Sequence, residues 1–437
     1  MISSEPIITA GIIDGTFEVH GELLEKYRII DGVVVFGKFH AKALNGEVVV
    51  YGGKDIELLR AKEIRFLPLN GGKFMLNDVR FGISFHWERK EDQTFEGVLK
   101  LAARSDGSIA VINEISLEKY LASVISSEMS ATAPMEFLKA QAITSRSWLA
   151  AMLEMKKKHS TIGVSSRRSF QTDNEIIRWY DREDHDLFDV CADDHCQRYQ
   201  GITKIISSSV QQAIDETRGL FLVYENEICD ARFHKACGGL TESFKNAWEE
   251  KTVPYLTPVS CSDNDYRLAS EKEAEEWILS SPKAYCNTTG GNILKQVLPA
   301  FDQETVDFFR WKVEYSQQEL SALIHKKSGV DFGEILDLIP VQRGSSGRIA
   351  KIKIAGSKKV LIVGKELEIR KWLSPSHLYS SAFVTKREND KFVFYGAGWG
   401  HGVGLCQIGA AVMASEGKKA EDIVKHYFKN AELRELY

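Results

Sequence analysis

Apolar positions over the first hundred residues recur at intervals of two or run together. GVVVFGKF, EVVVYG and KFMLNDVRFGISFHW are the clearest stretches, separated by Asn45-Gly46 and by Asn70-Gly71-Gly72. That alternation with those turn residues predicts a small β-rich domain over residues 1–95. Its aromatics Phe85, Trp87 and Phe95 read as core or sheet-face residues rather than as a sugar platform. A hairpin follows over 96–116, turning at Asp106-Gly107. The period then becomes helical. Leu117, Tyr120, Leu121 and Val124 recur at helical spacing after Ser116, a good N-cap, with Glu118 in the first turn. Residues 126–133 break the pattern and put Glu128 in a polar link. Pro134 suits the first turn of a second helix. On that helix Phe137, Ala140, Thr144, Trp148 and Ala151 form one apolar row. Leu138, Ala142, Ser145, Leu149 and Met152 form another, so the helix is mostly buried.

Further along, residues 156–184 are polar, basic and then acidic, and read as an exposed connection. A helix is predicted over 208–217 and a strand over 220–224, with Gly219 as the turn. Helical stretches occupy much of 262–330. Residues 335–383 read as twisted strands followed by a helix over 365–372. A strand runs into the glycine-rich loop FVFYGAGWGHGVG, followed by a helix over 407–415 and another in EDIVKHYF after Gly417. The order of elements predicts an α+β fold, with helices packed on mixed or antiparallel sheets.

A chain of 437 residues is long enough for one large core or for two to three domains. Its 43% hydrophobic and 27% charged residues are those of a globular protein. The formal charge of −5 argues against a nucleic-acid partner. No run of about 18 apolar residues predicts a membrane-spanning helix. The N-terminus lacks a basic segment and a long apolar run, so no signal peptide is visible. The seven cysteines are odd in number and too sparse for a disulfide scaffold.

Three stretches carry chemistry. A mostly buried helix bearing Lys139, Gln141, Ser145 and Arg146 beside Glu128 suggests a site; the plain alternative is two packed helices with a solvated carboxylate. HDLFDVCADDHCQRYQG gathers His185, Cys191, His195 and Cys196, and thiolate with imidazole suits zinc. The spacing is not that of a zinc finger or ribbon. His195 and Cys196 are neighbours, so both can bind one ion only within a turn. A Cys191–Cys196 disulfide and two reduced thiols remain open alternatives. In the glycine-rich loop, Gln407 stands where a dinucleotide fingerprint needs its third glycine, and no P-loop lysine follows, so a nucleotide site is excluded.

LEKYLASVISSEM followed by P-x-E-x-L-K-A-Q-A-x-x-x-R resembles the signature of the stage II sporulation protein D family, which includes the amidase enhancers of bacterial cell walls. CGGLTES at 237–243 is similar to the family's S-G-G-x-T-E-S, with Cys237 in place of the usual serine. That cysteine leaves a disulfide to Cys261 or Cys406 open. W-G-H-G-V-G-x-x-Q at 399–407 resembles its other strong motif. R-G-x-S-G-R and L-x-S-S-x-F also recur, with Arg343 and Arg348 read as structural. The resemblance spans roughly residues 96–430. It implies a domain over 96–437 with an insertion near 262–330.

The resemblance further implies a lytic transglycosylase. It would cleave the β-1,4 bond between N-acetylmuramic acid and N-acetylglucosamine in peptidoglycan strands, leaving a 1,6-anhydro end. Glu128 is the implied general acid and base. The implied substrate-binding residues are Lys139, Gln141, Arg146, Gly238, Gly239, Thr241, Glu242, Ser243, Trp399, His401, Gly402, Gly404 and Gln407. Trp399 would stack a sugar, His401 would position the substrate or the acid, and the glycines would leave room for a glycan strand. Some relatives carry zinc on one His and two Cys, which points to His185, Cys191 and Cys196, with His195 as a substitute. A hydrolase would instead need a second carboxylate about 5–9.5 Å away. Glu118, two to three turns off on the helix's outer face, and Glu242 are the candidates. The implied partners are glycan strands, preferably peptide-free, and a cell-wall amidase. The implied location is extracytoplasmic, with the chain as a trimmed mature form. Two other readings compete. One is a non-catalytic wall-binding protein that stimulates an amidase. The other is a zinc hydrolase at the His185 cluster, against which stands the lack of an HExxH motif.

Overall fold

A computed structural model describes residues 2–29, 32–83, 88–162, 169–180, 185–288, 291–299, 302–303 and 307–437. The chain divides into two compact units. One comprises residues 2–132, 182–220 and 435–437; the other comprises 133–181 and 221–434. Helices and strands are both abundant, and the fold is α+β. Among the described residues no helix is long and apolar enough to cross a membrane.

The first unit is built on an eleven-stranded sheet. The expected hairpin is present: Val98–Ala103 pairs antiparallel with Ile109–Ser116 across the Asp106-Gly107 turn. Asn45 and Gly46, both at positive φ, join Val34–Leu44 to Glu47–Tyr51 as a two-residue turn requires. The sheet does not stop near residue 95. Val98–Ala103 also pairs with Glu63–Pro68, and Ile109–Ser116 pairs with Ile7–Thr16. Phe95 is fully buried and stacks on Phe74, as a core aromatic should. Phe85 and Trp87 lie outside the described residues.

Helix α1 (Leu117–Glu128) follows that hairpin directly, and Leu117, Tyr120, Leu121 and Val124 are all fully buried. Ser116 occupies the N-cap position without a capping side-chain bond; the Glu5 carboxylate instead accepts the Glu118 N–H at 3.1 Å. Glu128 is the last residue of α1 rather than part of a link. The serines that interrupt the apolar pattern bond back into the helix: Ser126 Oγ donates to the Ala122 carbonyl and Ser127 Oγ to that of Ser123, each at 2.8 Å. A buried serine satisfied in this way stays helical.

In the second unit, α2 (Met135–Ile162) packs against the helices Gln407–Ser415 and Ala420–Tyr427. Both apolar rows of α2 are buried. Pro134 lies one position before the helix and offers its carbonyl to the N–H groups of Phe137 and Leu138. Part of the expected exposed connection is a strand: Glu175–Arg178 runs parallel to Val360–Gly364 and buries Ile176 and Ile177. The rest of that five-stranded sheet is Ser169–Gln171, Ile349–Gly356 and Ile335–Arg343. A separate sheet pairs Lys391–Ala397, which enters the glycine-rich loop, with Arg310–Ser316 and Phe383–Glu388.

A candidate active site at the end of the first helix

Eight residues separate Tyr120 from Glu128, so both fall on one face of α1. Glu128 is 8% exposed, and its Oε1 accepts the backbone N–H of Arg198 at 3.0 Å. The Arg198 guanidinium turns instead to Asp194, donating from Nε to Oδ1 at 2.7 Å. Burial, opposed by Arg198 and reinforced by Asp193 and Glu128, pushes the Asp194 carboxyl up to about 7. Tyr120 stacks on Tyr199 with ring centroids 4.9 Å apart, and its buried hydroxyl has no hydrogen-bond partner among the described residues.

The segment that delivers Arg198 carries the cysteine and histidine cluster. Ligand atoms of His185, Cys191, His195 and Cys196 all lie within 4.8 Å of one another. His185 Nε2 is 3.4 Å from Cys196 Sγ, His195 Nδ1 is 3.4 Å from the same sulfur, and Cys191 Sγ is 3.8 Å from His195 Nδ1. A tetrahedral zinc ion with nitrogen at about 2.1 Å and sulfur at about 2.3 Å sets such an edge near 3.6 Å. The required turn is present, closed by the Cys196 N–H on the Asp193 carbonyl at 3.0 Å. The Cys191 N–H also points at Cys196 Sγ, at 3.4 Å. Hydrogen bonding to Cys196 and to both histidines outweighs burial and holds the Cys191 thiol far below its ordinary range, which favours the thiolate that a metal binds. Cys191 and Cys196 are not disulfide-bonded. His195 thus stands with the other three residues as an equal member of the set.

Glu118 is 4% exposed and does not sit on an outer face; its Oε1 accepts the Tyr437 hydroxyl at 2.7 Å. It stands ten residues before Glu128, about 15 Å along the helix. Asp194, which sequence spacing did not single out, is a carboxylate of this unit that senses the Glu128 charge.

The remaining motif residues belong to the second unit. On α2, Arg146 and Gln141 are fully buried; Gln141 Nε2 donates to Ser145 Oγ, and Lys139 pairs with Glu136 at 3.1 Å. Glu242 is 1% exposed and internally satisfied. Oε1 accepts from the Ser243 N–H and from Asn246, and Oε2 accepts from the N–H and hydroxyl of Ser346. Thr241 exchanges hydrogen bonds with the Val259 backbone. Arg348 is buried and donates to the carbonyls of Cys237 and Gly400, and Arg343 binds Glu271 and the Gly347 carbonyl, so both are structural as expected.

The glycine loop does not stand open beside its glycines. A Cβ on Gly402, at φ +82°, would lie 2.4 Å from the Arg348 guanidinium, and one on Gly404, at φ +75°, 2.0 Å from the Arg232 carbonyl oxygen. The room is taken by the chain's own 232–237 segment and Arg348. Trp399 packs on Tyr379 and Phe308, with centroids 4.3 and 4.7 Å away. His401 Nδ1 accepts the Val403 N–H at 3.0 Å, and its ring meets those of His234 and Trp248. Gly238 offers its carbonyl to Arg310 at 3.0 Å, and Gln407 is buried as the first residue of its helix.

These motifs are held in folded surroundings, and matches to known proteins cover the same stretches. A family model described as stage II sporulation protein matches residues 105–224, which include α1, Glu128 and the His and Cys cluster. The chain is similar to stage II sporulation protein D over about three quarters of its length. The stage II sporulation protein D of Bacillus amyloliquefaciens is 25% identical over 324 residues, 74% of this chain and 76% of the relative. That of Bacillus subtilis is 26% identical over the same shares. The amidase enhancer of Bacillus subtilis is 23% identical over 248 residues, 52% of this chain and 33% of that protein. A second model, a domain of unknown function, matches residues 242–404. In this chain Cys237 stands in the S-G-G motif, and Glu128 is joined through the Arg198 N–H to the segment that carries Asp194.

Proposed function

We propose that the chain acts on the bacterial cell wall, outside the cytoplasmic membrane, as a lytic transglycosylase of peptidoglycan glycan strands. The observation that carries this reading is Glu128. It is a buried carboxyl at a helix end, bound through one oxygen by a backbone N–H, in the position of the family's S-E-M glutamate. In the first step the Glu128 carboxyl gives its proton to the glycosidic oxygen as the β-1,4 bond breaks. In the second, the carboxylate takes the proton of the muramic C6 hydroxyl as that oxygen bonds to C1. One residue serves both steps, and the products together carry the atoms of the substrate. The C6 hydroxyl belongs to the same sugar, so it attacks with a high effective concentration and needs no activated water.

His185, Cys191, His195 and Cys196 fit one zinc ion, and four protein ligands would complete its shell and give it a structural role. That role is to hold the turn from which the Arg198 N–H reaches Glu128. Glu128→Gln abolishes release of fragments from purified glycan strands, with and without stem peptides, in a protein of unchanged circular dichroism. Unchanged release removes Glu128 as the acid. The relative named amidase enhancer favours a second reading, stimulation of a cell-wall amidase without catalysis. Under it, Glu128→Gln raises amidase turnover as well as the native chain does, and neither protein cuts strands.

A further inference from the structure

Six of the seven cysteines fall into two groups, and only the pair at 191 and 196 belongs to the site above. The other four, Cys237, Cys261, Cys286 and Cys406, share no C-x-x-C spacing, yet they converge within the second unit. Their sulfurs all lie within 4.8 Å of one another, and each residue is at most 2% exposed. Cys237 Sγ and Cys286 Sγ are 3.5 Å apart. One tetrahedral ion with four metal–sulfur bonds of about 2.3 Å sets sulfur–sulfur edges of about 3.8 Å. The thiolates of a polynuclear iron–sulfur cluster stand on different irons and are spread too widely for this arrangement.

The surroundings are those of thiolates rather than of small apolar side chains. Backbone N–H groups aim at sulfur: that of Cys237 at Cys406 Sγ and that of Gly239 at Cys237 Sγ, both at 3.3 Å. The Tyr427 hydroxyl lies 3.2 Å from Cys261 Sγ. The half-buried Arg310 guanidinium donates at 3.0 Å to the carbonyl of Gly238, next to Cys237 in the chain. Donors that orient and neutralise ligand sulfur are a usual accompaniment of a metal site. The chain also closes tightly round it, since a Cβ on Gly409 would stand 2.5 Å from both Cys261 Sγ and the Tyr427 oxygen.

We propose that Cys237, Cys261, Cys286 and Cys406 form a closed tetrathiolate site for one divalent ion of the zinc class. Four thiolates and no open position make it structural. Its work is to pin the loops of Cys261 and Cys286 to the end of a short two-stranded parallel pair. Cys237 follows the strand Phe233–His234, and Cys406 ends the parallel strand Leu405–Cys406 and is the N-cap of the helix Gln407–Ser415. Between those pinned ends runs the loop of Trp399 and His401.

The test is elemental analysis of the full chain, purified without chelator, together with the Cys191→Ser/Cys196→Ser variant. The native chain should hold two zinc ions and the variant one. Replacing that remaining zinc by cobalt(II) should give intense sulfur-to-cobalt charge-transfer absorption and the visible bands of a tetrahedral ion. Cys286→Ser in the same background should lose them. Where that last variant does not fold, the cobalt spectrum of its folded parent decides. A single zinc that vanishes with Cys191 and Cys196 would overturn the proposal. So would a disulfide between any two of the four cysteines, found by mass spectrometry of the alkylated, unreduced chain.

Discussion

Glu128 shows how a local pattern can be read at the right residue and the wrong conformation. The polar run from Ser126 looks like the end of a helix, but the two serines spend their hydroxyls on their own helix and carry Glu128 to its last position. Glu128→Gln should lower strand cleavage by at least about 10²–10⁴-fold, the usual worth of a general acid or base, with no change in melting temperature. Tyr120 was legible as a core residue from its spacing, but its buried hydroxyl, without a hydrogen-bond partner among the described residues, was not. Arg198 and Asp194 carry no sequence signal, because their roles arise from a turn that brings residue 198 to residue 128. A second residue-scale prediction concerns His234 and His401. Burial, then Arg348, pulls His234 down to about 3; burial, then His234, Arg232 and Arg348, holds His401 well below its ordinary value. The unfolded chain therefore takes up protons near pH 6.5 that the folded chain refuses, so stability falls as pH drops below that value. His234→Asn keeps a donor for the Val403 carbonyl, now met by the His234 ring at 3.1 Å. It should flatten the acid limb of unfolding free energy against pH by up to about 1.4 kcal/mol per unit.

The elements themselves were largely legible. Helix Ser208–Glu216, strand Leu220–Tyr224, helix Glu366–Trp372 and the two final helices lie within a residue or two of their predicted ranges. Each is marked by its own apolar period and by a glycine or capping residue. What the sequence hides is pairing between distant segments. Residues 190–191 add a parallel strand to Ile7–Thr16, and Glu63–Pro68 reaches Val98–Ala103, with no local signal for either. The start of α1 is a case with an energetic consequence. Ser116 has the right type for a cap, but the bond comes from Glu5, far off in the chain. The Glu118 and Ser116 donors with Arg218 outweigh the burial that opposes ionisation of Glu5 and hold its carboxyl below the usual range. Glu5→Ala should therefore cost about 1 kcal/mol in chemical denaturation near neutral pH, as loss of a capping side chain does, whereas Ser116→Ala should cost less.

At the scale of the molecule, the motifs pointed to the relatives that the comparisons found, and they lie in two units: Glu128 with the His and Cys cluster in one, the S-G-G and glycine-loop motifs in the other. The first metal site makes a direct prediction. Cys191→Ser with Cys196→Ser should remove about one zinc per chain, together with strand cleavage, because the turn that presents the Arg198 N–H to Glu128 loses its tie. Retention of cleavage by the zinc-depleted variant would separate the cluster from the reaction. The central claim is the chemistry assigned to Glu128, and mass spectrometry of a glycan-strand digest tests it most directly. The account predicts fragments with 1,6-anhydro muramic ends, each lighter by one water than a hydrolysed end, and none from Glu128→Gln. A digest holding only reducing ends would contradict it, for a second carboxylate would then be activating water, and Asp194 would be the first residue to replace.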